Sequence, residues 1–492
     1  MSRSDGRDRS DASKTARGAL SLIAVQVLAR GMGLVFVAVA TRSLAPADFG
    51  AYSIAAGLFT VGTVIGDFGT SRLIAREVSR GGVPEEVIDR ALIPSLCLGT
   101  LSAAAVVGFA LVAYDGAPLA ATCVAAAGLP GMTVLTSYFG ALDGVGRMPL
   151  RAWLTFGMHT VTALGGLAAL LLWADGLAAA AALSLSGWLT LLPTIVIARR
   201  HGVTASWPLS MNRSAMRSFV TAAAPFAGLS AISIVSRRFD LIALSVLRTP
   251  ADVAGYDLAV RACEAASFAA TALSSASLYA LARSLGSGNH EEARIRNERL
   301  ARVAAMFGLL VSAMVVGGAN QIIDVVASDE YDFAAPLLRI LGLQIWLEFL
   351  AAHNGAVLAA GPDLRGAMRI GVALIAAIIV GNSVFIPILG SAGAAWVTVA
   401  VNIMNVALYR RRNAEHVGLR LPLPHPAMLA SAALGGSVVY FLEDRIGLGA
   451  LIVGAAVVFA GFMSAGGQED VARGVRLLRA QSLGEHTDGP PG

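Results

Sequence analysis

The chain has 492 residues, 56% hydrophobic and only 14% charged, with a mean hydropathy of +0.69. A soluble domain carries nearer a quarter charged residues, so this composition excludes an ordinary soluble multidomain protein. The net charge of +5 would raise nucleic acid as a partner for a soluble chain; here the basic residues sit in short loops between apolar runs and set topology instead.

Residues 1–17 form a polar, basic tail, read as cytoplasmic. The apolar run that follows is too long for a secretory h-region and is interrupted by Arg30, so it is read as an uncleaved first span. Apolar runs of membrane-crossing length lie at 18–42, 48–71, 91–113, 117–142, 150–173 and 177–198. After a polar linker at 199–217 they recur at 218–247, 253–281, 302–322, 335–360, 368–389 and 392–409, and then at 426–442 and 446–465. Backbone polar groups in lipid must be paired within their own segment, so these runs predict helices. The short alternating segments of a β-barrel are not seen. The expected fold class is all-α integral membrane, with about fourteen transmembrane helices. Beyond 466, Val471, Val475, Leu477 and Leu478 oppose Arg473, Arg476 and Arg479, a pattern for a short amphipathic helix on an anionic membrane surface.

Placing the N-terminus inside puts 29 of the 37 Lys and Arg residues on the inner side and only Arg42, Arg248 and Arg445 outside. Both termini are then cytoplasmic. Five basic residues remain within spans: Arg30, Arg237, Arg238, Arg261 and Arg339. Cys97, Cys123 and Cys263 lie in apolar runs without metal-type spacing, so no metal site or cofactor is expected.

The chain repeats itself. Pro46-Ala47-Asp48 after span one recurs as Pro250-Ala251-Asp252 after span seven, an offset of 204, and Gly and Tyr follow both copies. Proline with its fixed φ, and aspartate near the positive helix end, start a helix well. Six spans separate the copies, so both have one orientation. This implies parallel repeats of six helices, 18–198 and 218–409, facing each other across a central cavity. Spans thirteen and fourteen are additions.

The stretch Leu44 to Ala55, then Gly66-Asp67-Phe68-Gly69-Thr70, resembles the opening of the Wzx-type polysaccharide-repeat flippases. Arg238-Phe239-Asp240, Gly255-Tyr256, the Asp329-Glu330-Tyr331 loop and Gly390 to Trp396 are similar in the same order and spacing. The resemblance covers about 15–412 and implies membership of the MATE-like superfamily of multidrug and oligosaccharidyl-lipid exporters. It further implies a bacterial inner-membrane protein that moves undecaprenyl-diphosphate-linked oligosaccharide outward. Polysaccharide polymerase and chain-length proteins are implied as partners.

An arginine at mid-span costs roughly 2.5–3.5 kcal/mol on insertion scales, so each must face a polar cavity, pair with an acid or snorkel. Arg30 lies halfway along span one. Arg237 and Asp240 on span seven, and Arg261 and Glu264 on span eight, are spaced i,i+3 and could pair within their helices. Arg237 and Arg238 point about 100° apart, so only one of them faces a given cavity. Arg30, Arg237, Arg238 and Arg261 are the candidate substrate-binding cations, since a diphosphate accepts bidentate bonds from arginine. Asp240, Glu264, Glu348 and His353 are candidates for ion coupling, with structural hydrogen bonding the alternative. Arg339 can snorkel from the start of span ten, and Asp67 beside Arg72 suits a structural role. Cation excess argues against exporters of cationic drugs, which would want acids and aromatics; a lipid II flippase stays open. A polymerase or ligase would need a catalytic outer loop, and the chain has neither that nor a nucleophile or phosphate-loop motif.

Overall fold

The computed structural model describes residues 28–29, 31–206, 213–286, 290–360, 364–419, 423–446 and 448–464. The N-terminal tail, Arg30 and the amphipathic segment of the C-terminal tail lie outside these residues. The helices, in chain order, are α1 (Gly31–Ser43), α2 (Pro46–Asp67), α3 (Thr70–Ser79), α4 (Pro84–Ala113), α5 (Gly116–Ala126), α6 (Leu129–Gly144), α7 (Met148–Trp173) and α8 (Gly176–Arg199). They continue as α9 (Arg213–Leu247), α10 (Pro250–Ala266), α11 (Phe268–Gly286), α12 (His290–Gly317), α13 (Ala319–Val326), α14 (Ala334–Gly342) and α15 (Ile345–Ala360). The last four are α16 (Leu364–Leu389), α17 (Ser391–His416), α18 (Pro426–Ile446) and α19 (Leu448–Phe462).

Among the described residues, eight helical segments are long and apolar enough to cross a membrane, and the α5–α6 pair, bent by 41°, makes a ninth. Shorter apolar helices occupy predicted spans one, thirteen and fourteen. Predicted spans seven and eight are helical too, as α9 and as α10 with α11, and these carry Arg237, Arg238, Asp240, Asp257, Arg261 and Glu264. The all-helical membrane fold is therefore the one expected. Its breaks are the addition: Gly128 between α5 and α6, Ser267 between α10 and α11, and Leu343-Gln344 between α14 and α15.

The helix starts follow from local chemistry. Pro46 opens α2 with Asp48 in its first turn, and Pro84 opens α4 with Glu85 and Glu86 in its first turn. At α10 the Pro-Ala-Asp corner closes a reciprocal cap: Thr249 N and Oγ1 donate to Asp252 Oδ2 at 3.2 and 2.8 Å, and Asp252 N donates back to Thr249 Oγ1 at 3.3 Å. α2 stops where Phe68 and Gly69 both turn left-handed, with φ of 45° and 75°. Gly69 is required there, because a Cβ would strike Phe226 and lie 2.7 Å from Ala227 N.

The described residues of Met1–Ala265, Ile323–Leu337 and Val372–Val397 cluster as one compact unit, and the remainder as a second. The first unit holds both Pro-Ala-Asp corners, and Gly50 there packs directly on the backbone of Pro250. Hydroxyls knit its helices: Ser102 Oγ donates to Gly62 O at 2.6 Å, Thr133 Oγ1 to Ser95 O at 2.9 Å, and Ser95 and Ser137 share a bond of 2.7 Å. In the second unit α11, α12 and α15 pack together, and α18 and α19 lie against α12.

Candidate functional site

The polar centre of the first unit is built on α9 and α10. Arg238 and Arg261 line a cavity of about 230 Å³, together with Tyr52, His159, Asp257 and Phe36. Arg237 is exposed and is not in the lining, as the 100° step between neighbours on a helix requires.

Arg261 Nε donates to Asp257 Oδ2 at 2.7 Å, four residues back on the same helix. Glu264, three residues on, lies instead 3.9 Å from Arg238 Nη2. The expected Arg261–Glu264 pairing is thus replaced by one with the acid N-terminal to the base at i,i+4, the more favourable orientation on a helix. Asp240 likewise turns from Arg237: it accepts from Tyr256 Oη on α10 at 2.5 Å and from Leu241 N on its own helix at 2.8 Å.

This arrangement leaves specific capacity unused. Asp257 is 1% exposed, and its Oδ1 is buried without a hydrogen-bond partner. Arg261 engages Asp257 through Nε, so its two terminal nitrogens form a planar fork in a wall of the cavity. A site of this kind can hold an anion bidentately while Asp257 fixes the guanidinium plane.

Three of its titratable members are not among the residues singled out from sequence. Asp257 was signalled by its i,i+4 spacing to Arg261. Tyr52 was signalled by the repeat, in which it is the counterpart of Tyr256: one lines the cavity and the other holds Asp240. His159 gave no signal beyond being a lone imidazole in an apolar span.

Other sequence candidates fall elsewhere. Arg30 is outside the described residues, although its neighbours Ala29 and Gly33 line the cavity. His353 belongs to the second unit, where it is fully buried between Ser277 Oγ and Asn297 Oδ1, each 3.0 Å from a ring nitrogen. The amide oxygen can only accept, so Nε2 carries the proton and Nδ1 accepts from Ser277. Glu348 is half-buried in the first turn of α15. Arg339 donates to Asn320 Oδ1 at 2.7 Å and stacks 5.2 Å from the Tyr440 ring centre, so it is tied to neighbouring helices. Asp67 accepts from Ser71 N and Oγ at 3.2 and 3.0 Å, a structural role at the start of α3.

Residues 15–281 match the family described as polysaccharide biosynthesis protein, and the chain belongs to that family. Residues 225–382 also match the MatE family. No curated relative matches the sequence. Among solved structures, the fold matches a lipid II flippase MurJ in an inward closed conformation, with TM-score 0.74 and 12% identity over 92% of this chain and 99% of that one. An inward-facing multidrug resistance MATE transporter of the MOP superfamily matches at TM-score 0.61 and 16% identity, over 78% of this chain and 95% of that one. A MATE transporter of Vibrio cholerae matches at 0.55 and 16%, over 82% and 98%. At these identities the likeness establishes the fold, a membrane transporter and flippase fold, and not the cargo.

Proposed function

We propose that this member of the polysaccharide biosynthesis protein family translocates an undecaprenyl-diphosphate-linked oligosaccharide repeat unit across the bacterial cytoplasmic membrane. It does so by alternating access, supplying surface-polysaccharide assembly outside. One observation carries the reading: two arginines, Arg238 and Arg261, line one cavity on α9 and α10, the helices of predicted spans seven and eight, with Arg261 held in plane by buried Asp257. A cation at membrane depth is expensive unless it is used, and a paired, oriented guanidinium fits a diphosphate. The prenyl tail would stay in lipid while the head crosses.

Ion coupling falls, in this reading, to Asp240. Glu264 lies near Arg238, both ring nitrogens of His353 are engaged, and Glu348 sits in the other unit. Asp240 instead shares its carboxylate between a backbone N–H and a neutral phenol.

The test is complementation of a deletion strain, scoring surface polysaccharide and lipid-linked intermediates. Loss of surface polysaccharide with build-up of its lipid-linked unit, rescued by wild type but not by equally abundant Arg238→Ala, supports the proposal. Normal polysaccharide with lost drug resistance would overturn it. Build-up of the peptidoglycan precursor instead would reassign the same cavity to lipid II.

A further inference from the structure

The arginine cavity is too small for a sugar chain: pockets that enclose a drug-sized ligand run to roughly 300–1,000 Å³, against about 230 Å³ here. A second cavity of the first unit, about 480 Å³, lies among the ends of α2, α3, α6 and α7. These ends adjoin the basic loops that assign this side to the cytoplasm. We propose that this cavity is a recognition subsite for the neutral, hydroxyl-rich sugars of the cargo, an inference that rests on the flippase reading and adds a site to it.

The wall carries both signs of charge without joining them all. Arg151 donates to Asp143 Oδ2 at 2.5 Å and stacks 5.9 Å from the Phe139 ring centre, which fixes its position. Asp143 Oδ1 is buried and has no hydrogen-bond partner. Arg72 lines the same cavity, and no ion pair joins it to Asp143 among the described residues. Ser71 and Thr136 point their hydroxyl hydrogens away, onto Asp67 Oδ2 and Thr133 O, and so present lone pairs.

An unused carboxylate oxygen, a guanidinium and two acceptor hydroxyls in one cavity ask for a ligand that donates and accepts at several points. An inorganic anion would meet Asp67 and Asp143, and a metal cation would meet Arg72 and Arg151. A polyol meets neither repulsion, because each hydroxyl donates to one group and accepts from the next. A buried acceptor without a partner is costly, and a sugar hydroxyl donating to Asp143 Oδ1 would satisfy it.

The experiment is saturation-transfer NMR on the purified full chain in nanodiscs, with methyl glucoside, galactoside, mannoside and N-acetylglucosaminide as probes. At least one glycoside should receive saturation from wild type, weakened fivefold or more by Asp143→Asn and by Arg72→Gln, and unchanged by Arg238→Ala. Arg72 is exposed, so its variant tests the site without threatening the fold. No transfer from any glycoside, transfer in both variants as strong as in wild type, or displacement of the glycoside by sodium sulfate would overturn the subsite. Undecaprenyl diphosphate binding is measured in parallel. Its absence in wild type, with glycoside binding intact, would sink the flippase reading and leave the sugar site standing.

Discussion

Arg261 and Asp257 are joined at 2.7 Å but buried unequally: the arginine side chain is 27% exposed and the aspartate 1%. The two partners are therefore not equivalent in what their loss leaves behind. Removing Asp257 leaves a cation that the cavity can hydrate. Removing Arg261 leaves a nearly buried carboxylate without its cation. Breaking a fully buried pair costs roughly 3–5 kcal/mol, and that upper range applies to Arg261→Ala, while Asp257→Ala should cost clearly less. The double variant should recover part of the loss. Thermal unfolding in detergent of the two singles and the double checks this order; equal destabilisation by both singles would refute the asymmetry.

The contact between the two Pro-Ala-Asp corners makes a second expectation. A Cβ on Gly50 would fall inside the carbonyl of Pro250, a backbone group that cannot swing aside. Gly50→Ala should therefore lower membrane abundance and melting temperature sharply. A Cβ on Gly108, in α4, would meet nothing within 4 Å, so Gly108→Ala should be neutral or stabilise by about 0.5–1 kcal/mol through helix propensity. A tolerated Gly50→Ala would mean that the corners are not packed as closely as the backbone places them.

Why some of this was legible in the sequence is a question of which signals hydropathy carries. Apolar runs of span length announce themselves, and so each predicted span has a helical counterpart among the described residues. Bends do not: Gly128 and Ser267 interrupt spans four and eight without changing their hydropathy. Polar helices are equally silent, so α3 and the charged start of α12 lay in what read as loops. The repeat placed Tyr52 and Tyr256 in equivalent positions, but a repeat says nothing of partners. Asp257 was missed because an arginine has acids on both sides, Asp257 and Glu264, and only side-chain direction on the helix decides between them.

Tyr331 gives a third expectation. It is fully buried in the turn after α13, donates to Leu44 O at 2.9 Å and meets the Phe49 ring edge-on at 6.0 Å. Thr41 and Arg42 reinforce the same seam by donating to Val326 O and Val325 O at 2.9 and 2.7 Å. Tyr331→Phe should lose about 0.5–1.5 kcal/mol, the value of one hydrogen bond. Tyr331→Ala should lose about 3–5 kcal/mol, since it also leaves a cavity. Urea or thermal unfolding separates the two; indistinguishable losses would mean that the ring, and not the hydroxyl, does little for the seam.

Asp240 and Tyr256 separate charge from hydrogen bonding at the proposed coupling group. Asp240→Asn keeps one oxygen to accept from Leu241 N and turns its amide NH2 toward Tyr256 Oη, which can accept in place of donating, so the α9–α10 contact survives without its charge. Tyr256→Phe does the reverse, keeping the carboxylate and removing one donor. If the charge binds the coupling ion, translocation of a fluorescent lipid-linked oligosaccharide into liposomes should lose its dependence on the ion gradient in Asp240→Asn and keep it in Tyr256→Phe. If the hydrogen bond alone matters, by holding α10 in register with α9, the pattern inverts: Tyr256→Phe is the damaged variant and Asp240→Asn still follows the gradient. The second pattern would remove Asp240 from ion coupling while leaving the arginine cavity, and the cargo it is proposed to hold, untouched.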